Sequence, residues 1–136
     1  MSVFSIPGKL DVNWRFDVKA VVDTWTSYAV TLDEFKDAIF NQSIPYAKAN
    51  GGKAWIVDSS TASGTFSQEI QAFIGSDVFP AFTANGIKYF ITITSQVSAL
   101  TKMTVSSYAA KAGPNGLQLL EVNSVDDAVA WLKQNA

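Results

Sequence analysis

Carboxylate and hydroxyl side chains that directly follow an apolar run are the first place to look for chemistry in this sequence. Asp58-Ser59-Ser60 closes the run Trp55-Ile56-Val57, and Thr94-Ser95 closes the run from Phe90 to Ile93. A carboxylate beside hydroxyls can hold a water, take up a proton or accept a donor from a ligand. The same residue types are equally what a loop uses to bond its own backbone. Ser67 stands where a helix should begin. Its free amides would attract an anion by ~0.3–1 kcal/mol, and Phe66 would supply an apolar rim. In Trp25-Thr26-Ser27-Tyr28 two large aromatics lie in one short link, able to line a groove or partner surface, or to cover the edge of the core. A hydrolase built here would have to use carboxylates alone, such as Asp58 with Glu121 or Asp23. Asp58-Ser59-Ser60-Thr61-Ala62 departs from the Asp-x-Ser-x-Ser cation pattern at Ala62, and there is neither a glycine-rich phosphate loop with lysine nor a calcium loop. No metal and no cofactor is expected.

The composition narrows the chemistry. There is no histidine, the side chain that serves most general-base work near neutral pH, and no cysteine, which removes disulfides, thiolate nucleophiles and sulfur-ligated metals. Binding rather than catalysis is therefore expected. A net charge of −2 provides no basic footprint for a phosphate backbone, so nucleic acid is not expected as a partner. No apolar run approaches the ~18 residues of a membrane span, and Met1 to Gly8 lacks the basic and apolar regions of a secretory signal. A cytoplasmic protein is the expectation, which leaves the acceptor pattern Asn41-Gln42-Ser43 as chance. With 136 residues, 48% of them hydrophobic and only 16% charged, the chain suits one domain (1–136) around one well-filled core.

Candidate residues need elements to position them. Lys9 to Lys19 alternates, with Leu10, Val12, Trp14, Phe16 and Val18 on one side, and predicts a half-buried strand turning near Asp17 to Lys19 into a second run, Ala20 to Trp25. Thr31 and Glu34 form a capping box that starts a helix at Leu32, closed by Gly51-Gly52, with a kink or break near Ser43 because of Pro45. Lys53 to Asp58 reads as a central strand. A helix capped by Ser67, divided by Pro80 and ended by Asn85-Gly86 leads to a strand from Ile87 to Thr94. Ala99 to Ala112 is predicted helical, Leu117 to Val122 a strand, and Ser124 caps a last helix with Ala128, Trp131 and Leu132 inward. Trp14, Trp55 and Trp131 belong to predicted buried faces. No repeat is evident. The implied fold is α/β: a single-layer mixed sheet of about five strands covered by about four helices.

Several local signatures stand in a telling order: Trp25 before the capped segment Thr31-Leu32-Asp33-Glu34-Phe35-Lys36, then Trp55-Ile56-Val57-Asp58, then Pro80 before Asn85-Gly86-Ile87, and last Val125 to Leu132. From about Ala20 to Leu132 the chain resembles the SpoIIAA-like family, related to STAS and Sec14 domains. The STAS side of that resemblance implies a regulatory binding module switched by phosphorylation of a serine at the start of the second helix, which makes Ser67 the candidate phosphoacceptor. The Asp-Ser-Ser-Gly pattern of such switches is not present at Gly64-Thr65-Phe66-Ser67. The Sec14 side implies an apolar cavity for a lipid.

The expectation is thus a non-catalytic binding or regulatory domain, monomeric or homodimeric, acting on a protein partner. Its alternative is a carrier or sensor of a lipid or other apolar small molecule. Ligands of open α/β sheets gather at the carboxyl ends of the strands, so one edge formed by Asp58, Ser59, Ser60, Ser67, Thr94 and Ser95 is expected to carry the contact.

Overall fold

Period-two alternation builds the sheet, and helical spacing covers it. The computed structural model describes residues 2–94 and 98–136. Its strands are β1 (Ser2–Ile6), β2 (Leu10–Arg15), β3 (Ala20–Trp25), β4 (Ala54–Asp58), β5 (Tyr89–Ile93) and β6 (Gln118–Val122), and they lie in that order in one six-stranded sheet. β1, β2 and β3 pair antiparallel, while β3 through β6 run parallel. The class is the α/β fold expected, with one strand more: β1 comes from the amino-terminal residues that were read only for targeting.

The first predicted strand ends earlier than its alternation suggested. β2 stops at Arg15, residues 16–19 form the turn, and Phe16 is 84% exposed instead of facing the core. Without Gly or Asn in that turn, Lys19 takes the left-handed conformation (φ 52°), and the amide of Lys53 donates to its carbonyl at 2.8 Å.

Between β3 and β4 the chain forms α1 (Leu32–Lys36), a π-helical segment Asp37–Ser43 and α2 (Ile44–Ala49). Between β4 and β5 it forms α3 (Gln68–Phe73), a π-helical segment Ile74–Val78 and α4 (Phe79–Ala84). Each run is a rod, helical throughout, so the chain is not interrupted at Pro45 or Pro80; a departure from regular α-helix does end at Ser43, where a kink or break was expected, and its counterpart ends at Val78, just before Pro80. Proline removes an amide and crowds the carbonyl one turn back, and a wider turn just before it relieves both. The amides of Ile44 and Phe79 reach back five residues, to Ile39 and Ile74, and the Ser43 hydroxyl donates to the Ala38 carbonyl at 2.6 Å. Both rods end alike, Asn50-Gly51 and Asn85-Gly86 each following a proline by five residues and placing glycine at positive φ. The rods are thus a structural repeat that the sequence reading did not see.

α5 (Ala99–Ala109) leads through a 3-10 turn (Gly113–Asn115) to β6, and α6 (Val125–Asn135) follows. The N-caps Thr31, Ser67, Ser98 and Ser124 each accept an amide of the first turn, a bond worth ~1 kcal/mol apiece.

Parity decides which face each strand residue serves. Val21, Trp25, Trp55, Val57 and Phe90 face the layer made by α1 through α5, while Ala20, Val22, Ala54, Ile56, Ile91 and Ile93 face α6. Right-handed crossovers between parallel strands laid down in sequence order put every intervening helix on one side, so α6 alone covers the other. Trp14 and Trp55 are buried as expected. Trp131 is only half-buried, edge-on to Tyr89 at 5.3 Å.

Candidate functional site

The carboxyl ends of the parallel strands do form an open cleft, of about 370 Å³, where Asp58, Ser60 and Ile93 meet Asn123, Ser124 and Asp126. Asp58 is held there by its own loop. Its Oδ1 accepts the Ser60 amide at 3.0 Å and the Ser60 hydroxyl at 2.6 Å, the self-bonding turn that was the alternative reading of these residues. Asn123, Ser124 and Asp126 join the cleft because β6 runs parallel beside β5, a pairing visible only in the folded chain.

The expected single edge is divided by the pleat. Asp58 projects on the α6 side of the sheet, whereas Ser67 caps α3 on the other side, its Oγ accepting the Ile70 amide at 3.2 Å. Ser67 is exposed, while Thr94 is buried, and Ser95 lies outside the described residues. Ser59 is fully buried, its hydroxyl hydrogen-bonded to the Tyr28 hydroxyl. Trp25, Tyr28 and Phe66, weighed as a groove or rim, are core residues. Phe66 stacks on Tyr28 at 4.1 Å and meets Trp25 edge-on at 5.0 Å. The carboxylates weighed for acid and base work are not brought together either. Asp23 and Asp58 sit one register position apart on opposite faces of adjacent strands, and Glu121, beside Thr92 on β6, is exposed.

A different site emerges inside. Asp23 lies in the middle of β3, shares the face of Val21 and Trp25, and is only 2% exposed. Its Oδ2 accepts the Trp55 indole N–H at 2.8 Å, whereas its Oδ1, equally buried, has no partner among the described residues. Loss of water pushes its carboxyl up to about 7, against the Trp55 hydrogen bond, which pulls it down. Beside Asp23 is a cavity of about 30 Å³ whose walls include Trp25, Phe35, Phe66, Phe79 and Phe82. Every side chain lining it is buried. Rings meeting edge-on and tilted, such as Phe79 with Phe90 at 4.9 Å, leave gaps that branched aliphatic chains would fill. At ~10–15 Å³ of such space per water, the cavity admits about two water-sized groups.

Ile39 from one π-helical segment and Ile74 and Val78 from the other complete the roof. Tyr108 of α5 also lines the cavity. Its hydroxyl lies 3.5 Å from that of Tyr28, which in turn meets Ser59 at the end of β4. Burial raises the Tyr28 hydroxyl to about 12 and the Tyr108 hydroxyl well above its usual value, so both stay protonated donors. A polar thread therefore runs from the cavity toward the Asp58-Ser60 loop. The signal for Asp23 was present in the sequence: an acid at an inward position of a strand that is apolar on both sides.

Among the described residues no group of three or more Asp, Glu, His or Cys is placed to hold a metal, and no helix is long and apolar enough to cross a membrane. The structure thus offers an outer polar cleft and an inner aromatic cavity, and no family model, curated protein or solved structure matches the chain to say which of them is used.

Proposed function

We propose that this domain binds an apolar small molecule between its sheet and its helical layer, as a carrier or sensor and without catalysing a reaction. The observation that carries this reading is the buried Oδ1 of Asp23, unpartnered and beside an aromatic cavity. A buried carboxyl oxygen without a partner costs ~1–3 kcal/mol or more, so it is retained at the expense of stability, as binding sites commonly are. Only a small group fits the cavity as it stands. A larger ligand enters by lifting the helical rods, and the π-helical segments over the cavity are where those rods depart from regular helix geometry. The Sec14 side of the family resemblance leads to the same reading.

Organic extraction of the purified protein followed by mass spectrometry, together with a thermal-shift screen of small apolar compounds, tests this. The expected result is either a co-purifying compound or a saturable rise in melting temperature with at least one compound. An empty extract together with a flat screen overturns the reading.

The outer cleft supports a second reading, a protein partner docking against Asp58, Ser60 and Ser124, with the Tyr28-Ser59 hydrogen bond linking that loop to the interior.

A further inference from the structure

We infer that the ligand of the inner cavity is a small organic amine held as its ammonium ion, with Asp23 as its counter-ion. The inference rests on the binding reading above and narrows its ligand to a short apolar body that carries one ammonium head. Three independent features of the cavity agree on it.

The first is charge. Among the described residues Asp23 is the only Asp, Glu, Lys or Arg lining the cavity, and none of the ion pairs found among them involves it. A carboxylate taken out of water is tolerated when a cation meets it there, and the described residues supply none at this place. The second is hydrogen bonding. Trp55 already serves Oδ2, and the opening at Oδ1 calls for a donor. An ammonium group brings donors and the missing charge together, an alcohol brings a donor without charge, and a carboxylate brings like charge. The third is the wall. The rings of Trp25, Phe35, Phe66, Phe79 and Phe82 surround the space, and the negative faces of aromatic rings attract cations while their hydrocarbon accommodates an alkyl tail. A cavity of about 30 Å³ takes an ammonium head with a very short tail, so the smallest alkylamines fit without rearrangement.

The groups facing Asp23 from the neighbouring elements are the indole of Trp55 on β4, the phenol of Tyr108 on α5 and, farther along the same thread, the phenol of Tyr28. None carries charge near neutral pH, so the carboxyl of Asp23 is the group that titrates when the amine binds. Its protonated form has to release its proton before the ion pair forms. With the carboxyl at about 7, apparent affinity is roughly tenfold weaker at pH 6 than at pH 8, the amine itself being protonated throughout.

Methylamine, ethylamine and propylamine are titrated into the purified protein against methanol, ethanol and propanol, by calorimetry in two buffers of different ionisation heat. The expected result is saturable binding of at least one amine, at least tenfold tighter than its alcohol, with proton release at pH 6 and a tenfold loss from pH 8 to pH 6. The variant Asp23→Asn keeps size and the Trp55 bond and should lose at least tenfold in amine affinity. Should that variant fail to fold, proton release and the pH profile of the unaltered chain decide. Alcohols binding as tightly as amines, or amines binding with no proton release and equal affinity at both pH values, overturn the amine assignment and leave the cavity reading standing. Binding by neither series also overturns the assignment, and the cavity reading falls only if extraction and the wider screen fail too.

Discussion

The two faces of the sheet are made from alternate residues of the same strands, yet they are packed on different terms. Toward α6, Ala20, Val22, Ala54, Ile56, Ile91 and Ile93 meet Ala128, Val129 and Leu132, an aliphatic contact with aromatic rings only at its margin, where Tyr89 touches Trp131. Toward the helical rods the same strands present Trp25, Trp55 and Phe90 to Phe35, Phe66, Phe79 and Phe82, and enclose a carboxyl, two phenols and a serine. Small branched side chains in staggered rotamers fill space closely, whereas large rings settle edge-on and leave gaps. One face is therefore built for stability, and the other gives up stability around a polar group with an open valence. That difference is why the proposed site is the aromatic cavity and not the conspicuous Asp58-Ser59-Ser60 loop, which satisfies its own carboxylate.

The largest effects come from removing bulk on either face. Phe79→Ala and Leu132→Ala each delete a side chain at most 1% exposed, and losses of ~3–5 and ~2–5 kcal/mol are expected in urea unfolding. The faces then separate in what the cavity admits: Phe79→Ala enlarges the aromatic space and should let benzene-sized compounds raise the melting temperature, while Leu132→Ala should not. Equal rescue of both variants would erase the distinction between the faces.

Next in size is the pH dependence of Asp23. Its folded-state carboxyl is raised from 3.8 to about 7, so the stability it permits is full below about pH 4 and is lost as pH rises through 7. Between pH 5 and pH 8 this amounts to ~2–3 kcal/mol, which Asp23→Asn should abolish; unfolding curves that shift in parallel for both proteins would show that the carboxyl is not buried as described.

The smallest effect expected is at the polar thread. Tyr28→Phe removes the short hydrogen bond to the buried Ser59 hydroxyl and should cost ~1–2 kcal/mol, whereas Tyr108→Phe removes the weaker interactions with Tyr28, at 3.5 Å, and with Ser59 and should cost less, under about 1 kcal/mol. Equal losses would mean that the thread is held from α5 as firmly as from the β3–α1 link.

Much of the fold could be read before any coordinates, because the forces that set it are local. The capping box at Thr31 and Glu34, the serine caps at Ser67 and Ser124 and the closures at Gly51 and at Asn85-Gly86 mark where backbone donors and acceptors run out of partners, and each sits where expected, the first closure beginning one residue earlier, at Asn50, than the Gly51-Gly52 pair suggested. The buried runs that became β4 and β5 were visible for the same reason. Pro45 and Pro80 were correctly seen as obstacles, but the choice between breaking a helix and widening one turn is made by the packing of the whole rod, so the π-helical segments were not foreseen. The amino-terminal strand was legible in principle, since Ser2 to Ile6 pairs with β2 across the tight turn Pro7-Gly8-Lys9, but those residues were read only for targeting and the turn signal went unused.

The candidate site was less legible. Residue types and period-two spacing, by themselves, determined that Asp23 shares a face with Val21 and Trp25, that Trp55 points into a core, and that histidine and cysteine chemistry is absent. Only the tertiary structure decided that Trp25, Tyr28 and Phe66 turn inward, that the pleat sends Asp58 to the face opposite Ser67, and that Trp55 serves one oxygen of Asp23 and leaves the other open. Caps and alternation are settled within a few residues of chain, whereas the partner of a buried oxygen depends on which side chains several distant segments bring to it, and no spacing along the sequence encodes that.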